Sequence, residues 1–309
     1  MKNYPKFTVI IPVKNSEDTL QKTFDSLRYQ DYKNLEIIVM DGLSSDNTME
    51  IVNNNSEIID VIISEKDESS AAACNKAIDI ATGDFIGFLY ADDYLEMNAL
   101  NLIADAAINE ENTNIISYGL SIENLETKKI ILESNKKKNI SLNLNNILFK
   151  HVLNHFYKRD IFKKYGYLMP LYYDNTTFYS NDREFLIRLA LNNVKNFVIE
   201  ETLYKMTHHK NSYSGSRSGL VKIREEHIGI ADSYLEKSNL SYYKQKKLID
   251  FKSHNLSLLL VWYLYKRNLK KFIDVFNMGY DVKGYYWLID IIKCPISELL
   301  YRASVKKWV

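Results

Sequence analysis

DFIGFLYADDYL, residues 84–95, runs an apolar, aromatic-rich segment straight into two adjacent carboxylates, Asp92 and Asp93. Residues 85–90 are apolar or aromatic throughout, which suits a strand covered on both faces, as in a parallel sheet. Three runs of similar character lie upstream: FTVIIPV (7–13), LEIIVM (35–40) and VIIS (61–64). Helical patterns separate them. Residues 17–30 set Leu20, Phe24 and Leu27 at helical spacing, and Ser45-Asp46-Asn47-Thr48 offers a cap for a helix through Val52. Residues 71–81 form an Ala-rich helix with Thr82-Gly83 as its glycine stop, and 96–108 another helix. Strand and helix thus alternate four times, the pattern of a doubly wound α/β sheet. Ligands in such sheets bind beyond the carboxyl ends of the strands. Those ends hold residues 12–15 (Pro12 through Asn15), Asp41, residues 65–67, and Asp92-Asp93, so three acidic clusters converge on one edge.

Downstream, residues 115–121 and 129–132 read as a strand pair, 154–158 and 194–204 as further strands, and 181–191 as a helix. Residues 208–219 are polar and rich in Ser and Gly, a loop, and from 220 the periodicity is helical to the end. The expected organisation is a catalytic α/β domain over 1–219 and a helical extension over 220–309. Residues 1–219 carry 24 Lys and Arg against 30 Asp and Glu, and residues 220–309 carry 16 against 9, so an acidic body precedes a basic tail. The total of +1 offers no general attraction for nucleic acid. The apolar run before Pro12 is about five residues, short of a secretory h-region, and no stretch approaches the roughly 18 apolar residues that span a bilayer. A cytoplasmic protein is expected. Cys74 and Cys294 are too few for a disulfide framework or a thiolate zinc site.

After the first strand stands Pro-Val-Lys-Asn, not a glycine loop, which counts against dinucleotide oxidoreductases and P-loop NTPases. A bound diphosphate would then need another counter-charge. Asp92-Asp93 can supply it, because adjacent carboxylates repel and a divalent cation relieves them. Hard oxygen ligands favour Mg2+ or Mn2+. Taken alone, the pair is equally readable as a helix cap beside a solvated neighbour.

Three segments in this order, TVIIPVKNSEDTLQKTFDSLRYQ (8–30), EIIVMDGLSSDNTMEIV (36–52) and SEKDESSAAACNKAIDIATGDFIGFLYADDYL (64–95), resemble the nucleotide-binding half of family 2 inverting glycosyltransferases of the bacterial surface-polysaccharide type, which have the GT-A fold. The resemblance is strong over about 95 residues, moderate to residue 215 and absent from the tail. It implies a GT-A mixed sheet flanked by helices, with the C-terminal helical extension beside it. Asp41 would recognise the base, usually uracil, Asp67 would lie near base or ribose, and Asp92 and Asp93 would meet the ribose and the metal-diphosphate, with Asp93 the direct ligand. Pro12, Asn15, Asn75 and Lys76 complete the expected donor site, although Lys76 also reads as a solvated helix lysine. The related subgroup tends to read SEPDxGxYDAMNKG; Ser69, Ala71 and Ala72 here replace its Gly, Tyr and Asp.

The resemblance places the general base at the start of a helix about 90 residues past the metal motif, and Asp182 in NDREFLIR (181–188) fits, with Glu184 the fallback and Asn181 where relatives often carry Glu. His209, in HKNSYS (209–214), matches a further metal or diphosphate ligand. His155 reads as lining the acceptor site or as a buried structural histidine. The implied activity is metal-dependent transfer of a sugar from a nucleoside diphosphate donor, UDP-linked, to a hydroxyl of a glycan or lipid-linked glycan in surface polysaccharide or lipopolysaccharide synthesis. The aromatic and basic tail suits an anionic membrane surface at the inner face of the cytoplasmic membrane. Two alternatives stand beside this: a non-catalytic nucleotide-sugar-binding relative, and a sugar nucleotidyltransferase, which would usually carry a Gly-rich basic loop after the first strand.

Overall fold

The computed structural model describes residues 4–110, 112–135, 140–145, 152–168, 180–208, 217–237 and 239–292. They fall into two compact units, Met1–Ser212 and Tyr213–Val309.

The first unit is built on β1 (Phe7–Val13), β2 (Leu35–Asp41), β3 (Val61–Ser64) and β4 (Phe85–Phe88), joined by α1 (Leu20–Arg28), α2 (Thr48–Asn54) and α3 (Ser70–Ile80). β1 is buried at every position and β2 at all but its first, as continuous apolar runs require. After β4 come β5 (Tyr94–Leu95), α4 (Ala99–Asn109), β6 (Ile115–Asn124), β7 (Ile130–Ser134), β8 (His155–Lys158), α5 (Asp160–Tyr165), α6 (Asn181–Leu191) and β9 (Asn196–His208). The sheet runs β3-β2-β1-β4-β8-β6-β9-β5, with β7 paired to β6. β3, β2, β1 and β4 are mutually parallel, β8 is antiparallel to both β4 and β6, and β6 is parallel to β9. The sheet is therefore mixed.

Two local readings change. Gly83 does not stop a helix through a left-handed turn. A Cβ there would sit 2.5 Å from Thr8 Oγ1 and 2.9 Å from the Phe7 carbonyl carbon, so glycine is needed for the chain to pass close to β1. The Gly83 N–H then donates to Thr8 Oγ1 at 2.9 Å. The last strand is also longer than its apolar pattern. β9 extends to His208 because residues 204–208 keep pairing with residues 120–124 of β6 beyond a register shift at Gly119, where a Cβ would lie 2.6 Å from the Glu201 carbonyl oxygen.

Glu36 is buried in the middle of this packing. Its carboxylate accepts from Thr8 Oγ1 at 2.5 Å, Thr82 N–H at 2.8 Å, Lys6 Nζ at 3.2 Å and the Thr82 hydroxyl. Burial alone would raise its pKa, but the bonds from Thr8, Thr82 and Lys6 outweigh it and bring the carboxyl down to about 2. A depressed folded pKa contributes stability above the unfolded value, and that stability is lost as pH falls towards the folded one. Glu36→Gln should destabilise the protein by roughly 2 kcal/mol near neutrality, or about 4–8 °C in Tm. The gap to the unsubstituted protein should close between about pH 5 and pH 2, a window that thermal melts over a pH series would test.

The second unit comprises α7 (Arg217–Leu235), α8 (Tyr242–Tyr265) and α9 (Leu269–Lys283). Ile228, Leu256, Leu259, Leu260 and Val275 pack around a fully buried Trp287. Trp287 donates its indole N–H to Ser257 Oγ at 3.1 Å, so the ring is buried without stranding its polar atom. Among the described residues, no helix is long and apolar enough to cross a membrane.

Candidate active site

Parallel register brings the strand ends together. Asp41 closes β2 opposite Val13 of β1 and Ser64 of β3. The first turn on this edge is locked by Asn15, whose left-handed φ of 49° a short amide side chain tolerates. Its N–H donates to Ser44 Oγ at 2.9 Å, and its Oδ1 accepts from Ser45 N–H at 2.9 Å. Pro12 is buried within β1. Asp41 is 1% exposed. Its Oδ1 accepts from the Ser44 hydroxyl at 2.5 Å and its Oδ2 from the Ser64 hydroxyl at 2.5 Å. The Asp41 carboxylate therefore braces the turn between β2 and β3.

Asp67, Asn75 and Lys76 cluster around α3. Lys76 does not stand ready for a phosphate as a lone cation. Its ammonium lies 2.8 Å from Asp67 Oδ1 and 2.5 Å from Glu65 Oε1, and those two acids, Asp67 first, raise its pKa. The Asp67 side chain is only 5% exposed, and its Oδ2 has no hydrogen-bond donor among the described residues. That orphaned oxygen is the kind of buried polar atom a ligand hydroxyl satisfies. Asn75 Oδ1 accepts the backbone N–H of Leu168 at 3.0 Å, which fixes where the chain leaves α5.

The acidic pair divides into two environments. Asp93 is 2% exposed. Its Oδ2 accepts from the Tyr204 hydroxyl at 2.7 Å, its Oδ1 from Thr207 N–H at 2.8 Å, and its carbonyl from Thr23 Oγ1 at 2.8 Å. Burial first, and the neighbouring Asp92 charge second, push its carboxyl well above the ordinary range. Asp92 is partly exposed, and its carbonyl accepts from Thr207 Oγ1 at 2.6 Å. The expectation that Asp93 is the direct metal ligand thus meets a carboxylate enclosed by β9, and the better-exposed acid is Asp92.

Asp182 lies in the first turn of α6, partly exposed, with Oδ1 accepting its neighbour's N–H (Arg183) at 2.7 Å. Its charge is among the causes that raise the pKa of two phenols, the partly exposed Tyr90 just past β4 and the buried Tyr157 in β8. Tyr90 also bonds to Ser70 and sits beside Cys74 and Asp93. Desolvation of its hydroxyl first, then Cys74 and Asp182, push its pKa far up. Asn181 is buried beside Asp182, and its Oδ1 has no donor among the described residues.

The fallback base Glu184 and the acceptor-site candidate His155 both have partners within the fold. Glu184 is 5% exposed and bonded at 2.7 Å to Arg188, which also donates to the Tyr167 carbonyl at 2.6 Å and to the Tyr165 carbonyl. This places Glu184 in the brace that ties α6 to α5, not on an open acceptor face. His155 is fully buried, with Nδ1 2.8 Å from Ser117 Oγ and its ring against Tyr157. Its ring thus lies within the sheet core. His209 and Cys294 lie outside the described residues, and among those described no group of three His, Cys, Asp or Glu side chains is placed to hold a metal ion.

Tyr204, Thr207, Tyr90 and Ser70 carry no local signal that would single them out. Tyr204 and Thr207 lie 111 and 114 positions from Asp93, and only the long β9 brings them there.

Comparison with known proteins bears on the family and the fold. Residues 8–166 match the model of the family described as "Glycosyl transferase family 2". Over 170 residues the chain is 32% identical to a PGL/p-HBAD biosynthesis glycosyltransferase of Mycobacterium bovis, covering 52% of this chain and 62% of that protein. The chain therefore spans less than two thirds of that relative. Over 257 residues it is 27% identical to the GalNAc(5)-diNAcBac-PP-undecaprenol beta-1,3-glucosyltransferase of Campylobacter jejuni, covering 78% of this chain and 81% of that one. In structure it is similar to S. aureus TarS 1-349 in complex with UDP-GlcNAc, at a TM-score of 0.68 and 18% identity, with 98% of this chain and 91% of that chain covered. That likeness gives the GT-A type of mixed sheet flanked by helices. Since the family match takes in residues 8–166 of 309, more than half of its length, this chain belongs to glycosyl transferase family 2.

Proposed function

We propose that the chain is an inverting glycosyltransferase that moves a sugar from a nucleoside diphosphate donor, UDP-linked, to a hydroxyl of a lipid-linked glycan during surface-polysaccharide synthesis. The observation that carries this reading is the gathering of Asp41 and Asp92 at the carboxyl ends of the parallel strands β2 and β4, with Asp67 Oδ2 left without a donor among the described residues just past β3. Asp182, partly exposed in the first turn of α6, supplies the carboxylate that this reading needs as base. The names of the relatives support the glycan class: one is a glycosyltransferase of PGL/p-HBAD biosynthesis, another is named for an undecaprenol-diphosphate-linked acceptor.

In this reading the donor lies along the edge formed by Asn15, Asp41, Asp67 and Asp92. Asp67 Oδ2 accepts a donor hydroxyl, and the buried serine-braced turn at Asp41 forms the base end. Asp182 takes the proton of the acceptor hydroxyl. The hydroxyl oxygen then forms its bond to the anomeric carbon as the bond to the diphosphate oxygen breaks on the opposite face, so the configuration inverts. A carboxylate set with hard oxygens fits Mg2+ or Mn2+, and Asp92, with donor oxygens, is the residue placed to hold it. Such an ion, when bound, neutralises the diphosphate charge.

Thermal stability against nucleotides and nucleoside diphosphate sugars, with and without Mn2+, tests the reading. A ligand that binds only the folded state should stabilise it by about 2.7 kcal/mol at 100 times its Kd and so raise Tm. UDP-sugars should give a shift, and GDP-sugars or CMP-sugars should not. No shift with any nucleotide, together with no transfer to lipid-linked glycan acceptors, would remove the transferase reading and leave a degenerate relative.

A further inference from the structure

The tip of the α8–α9 hairpin concentrates exposed apolar side chains and cations in a way the catalytic reading does not use. Residues 264–271 are exposed at every position. Leu264, Tyr265, Leu269 and Ile273 are 57%, 62%, 67% and 54% exposed. Lys266, Arg267, Lys270 and Lys271 are interleaved with them, and residues 251–273 contain no Asp or Glu. The turn is well built. Asn268 Oδ1 caps α9 by accepting the Lys271 N–H at 3.1 Å, and the Lys266, Arg267 and Asn268 N–H groups close onto the Trp262, Leu264 and Tyr263 carbonyls. Arg267 takes a left-handed φ of 54°, where glycine would be the less strained choice, so a cation stands at a position the backbone would give to glycine. Lys266 Nζ lies 5.0 Å from the Trp262 ring centroid and 5.9 Å from that of Tyr265.

We propose that this tip is a membrane-docking element that seats on anionic phospholipid, its cations on the headgroups and Leu264, Tyr265, Leu269 and Ile273 at the acyl boundary. Charge complementarity selects the occupant. Aliphatic side chains with aromatic rings and cations of a single sign match the interfacial zone of an anionic bilayer, where Trp and Tyr sit at headgroup level and basic side chains meet lipid phosphate. A second copy of this tip would instead bring like charges together.

Co-sedimentation of the full chain with vesicles of phosphatidylcholine, alone or enriched in phosphatidylglycerol, tests the proposal. The readout is lipid binding, so it stands or falls apart from the donor assay. The phosphatidylglycerol-rich vesicles should retain the protein, weakly at high salt, and the phosphatidylcholine vesicles should not. Lys266→Glu with Lys270→Glu should weaken retention by at least about 25-fold, roughly fivefold for each cation removed. Leu264→Ser with Leu269→Ser should weaken retention at unchanged charge. These four side chains are exposed, so the variants should melt with the unsubstituted protein. Unchanged retention in both double variants would overturn the proposal. So would absent retention of the parent chain, or a concentration-dependent dimer in sedimentation velocity that the leucine substitutions abolish.

Discussion

Asp182→Asn should lower turnover by about 10²–10⁴-fold, the range that a positioned general base supplies, while the Tm shift produced by the donor stays within error of the unsubstituted protein. The amide keeps the size of the side chain and an oxygen for the Arg183 N–H, which Oδ1 now accepts at 2.7 Å. It cannot take a proton from an acceptor hydroxyl. Loss of kcat with donor binding intact is the signature of an interaction made only in the transition state. Glu184 is the internal comparison. It is 5% exposed and bonded to Arg188 at 2.7 Å, so Glu184→Gln should act through the α5–α6 brace, lowering Tm with kcat falling only as far as folded protein is lost. If Asp182→Asn kept full turnover and Glu184→Gln lost it at unchanged Tm, the base would be reassigned.

These two neighbouring acids also show what could be read in the sequence. The strand-helix alternation and the strand-end positions of Asp41, Asp67, Asp92 and Asp93 were legible because they depend on local periodicity and on a rule about parallel sheets. The α6 helix over 181–191 was legible from its apolar spacing. Which acids are open to solvent was not. That depends on partners such as Ser64 for Asp41, 23 positions away, and Tyr204 for Asp93, 111 positions away. Lys76 likewise reads as a lone cation until α3 sets it against Glu65 and Asp67. The apolar pattern of β9 ends at Tyr204, four residues before the strand does, because residues 205–208 are held by pairing with β6 and not by an apolar run, and that last piece carries Thr207. Glycine shows the same limit. Gly83 looks like a helix stop in sequence, and its reason lies across the sheet at Thr8.

The acidic pair yields the second large effect, and it should split cleanly. Asp92 is partly exposed, and Thr207 bonds to its carbonyl, which the substitution leaves in place. Asp92→Asn keeps the shape of the side chain and should fold with a Tm close to that of the unsubstituted protein. If the Asp92 carboxylate helps to stabilise the leaving diphosphate, its loss should lower kcat by about 10²–10³-fold, the size seen when one preorganised electrostatic partner is removed. It should also abolish any Mn2+ dependence of the donor-induced Tm shift. Asp93→Ala should do the reverse. It removes the acceptor for the Tyr204 hydroxyl and the Thr207 N–H in a site that is 2% exposed. Each stranded donor costs about 1–3 kcal/mol, so a loss of roughly 2–5 kcal/mol in stability is expected. Asp93→Asn should be far milder. The amide oxygen can still accept the Thr207 N–H, and the Tyr204 hydroxyl can turn to accept from the amide NH2, so neither donor need be stranded. The ordering is thus Asp92→Asn stable and inactive, Asp93→Asn nearly stable, Asp93→Ala unstable. Melting curves and turnover on the same three preparations decide it. Full activity in Asp92→Asn, with metal dependence lost in Asp93→Asn at unchanged Tm, would return the direct-ligand role to Asp93 and require β9 to release it when the donor binds.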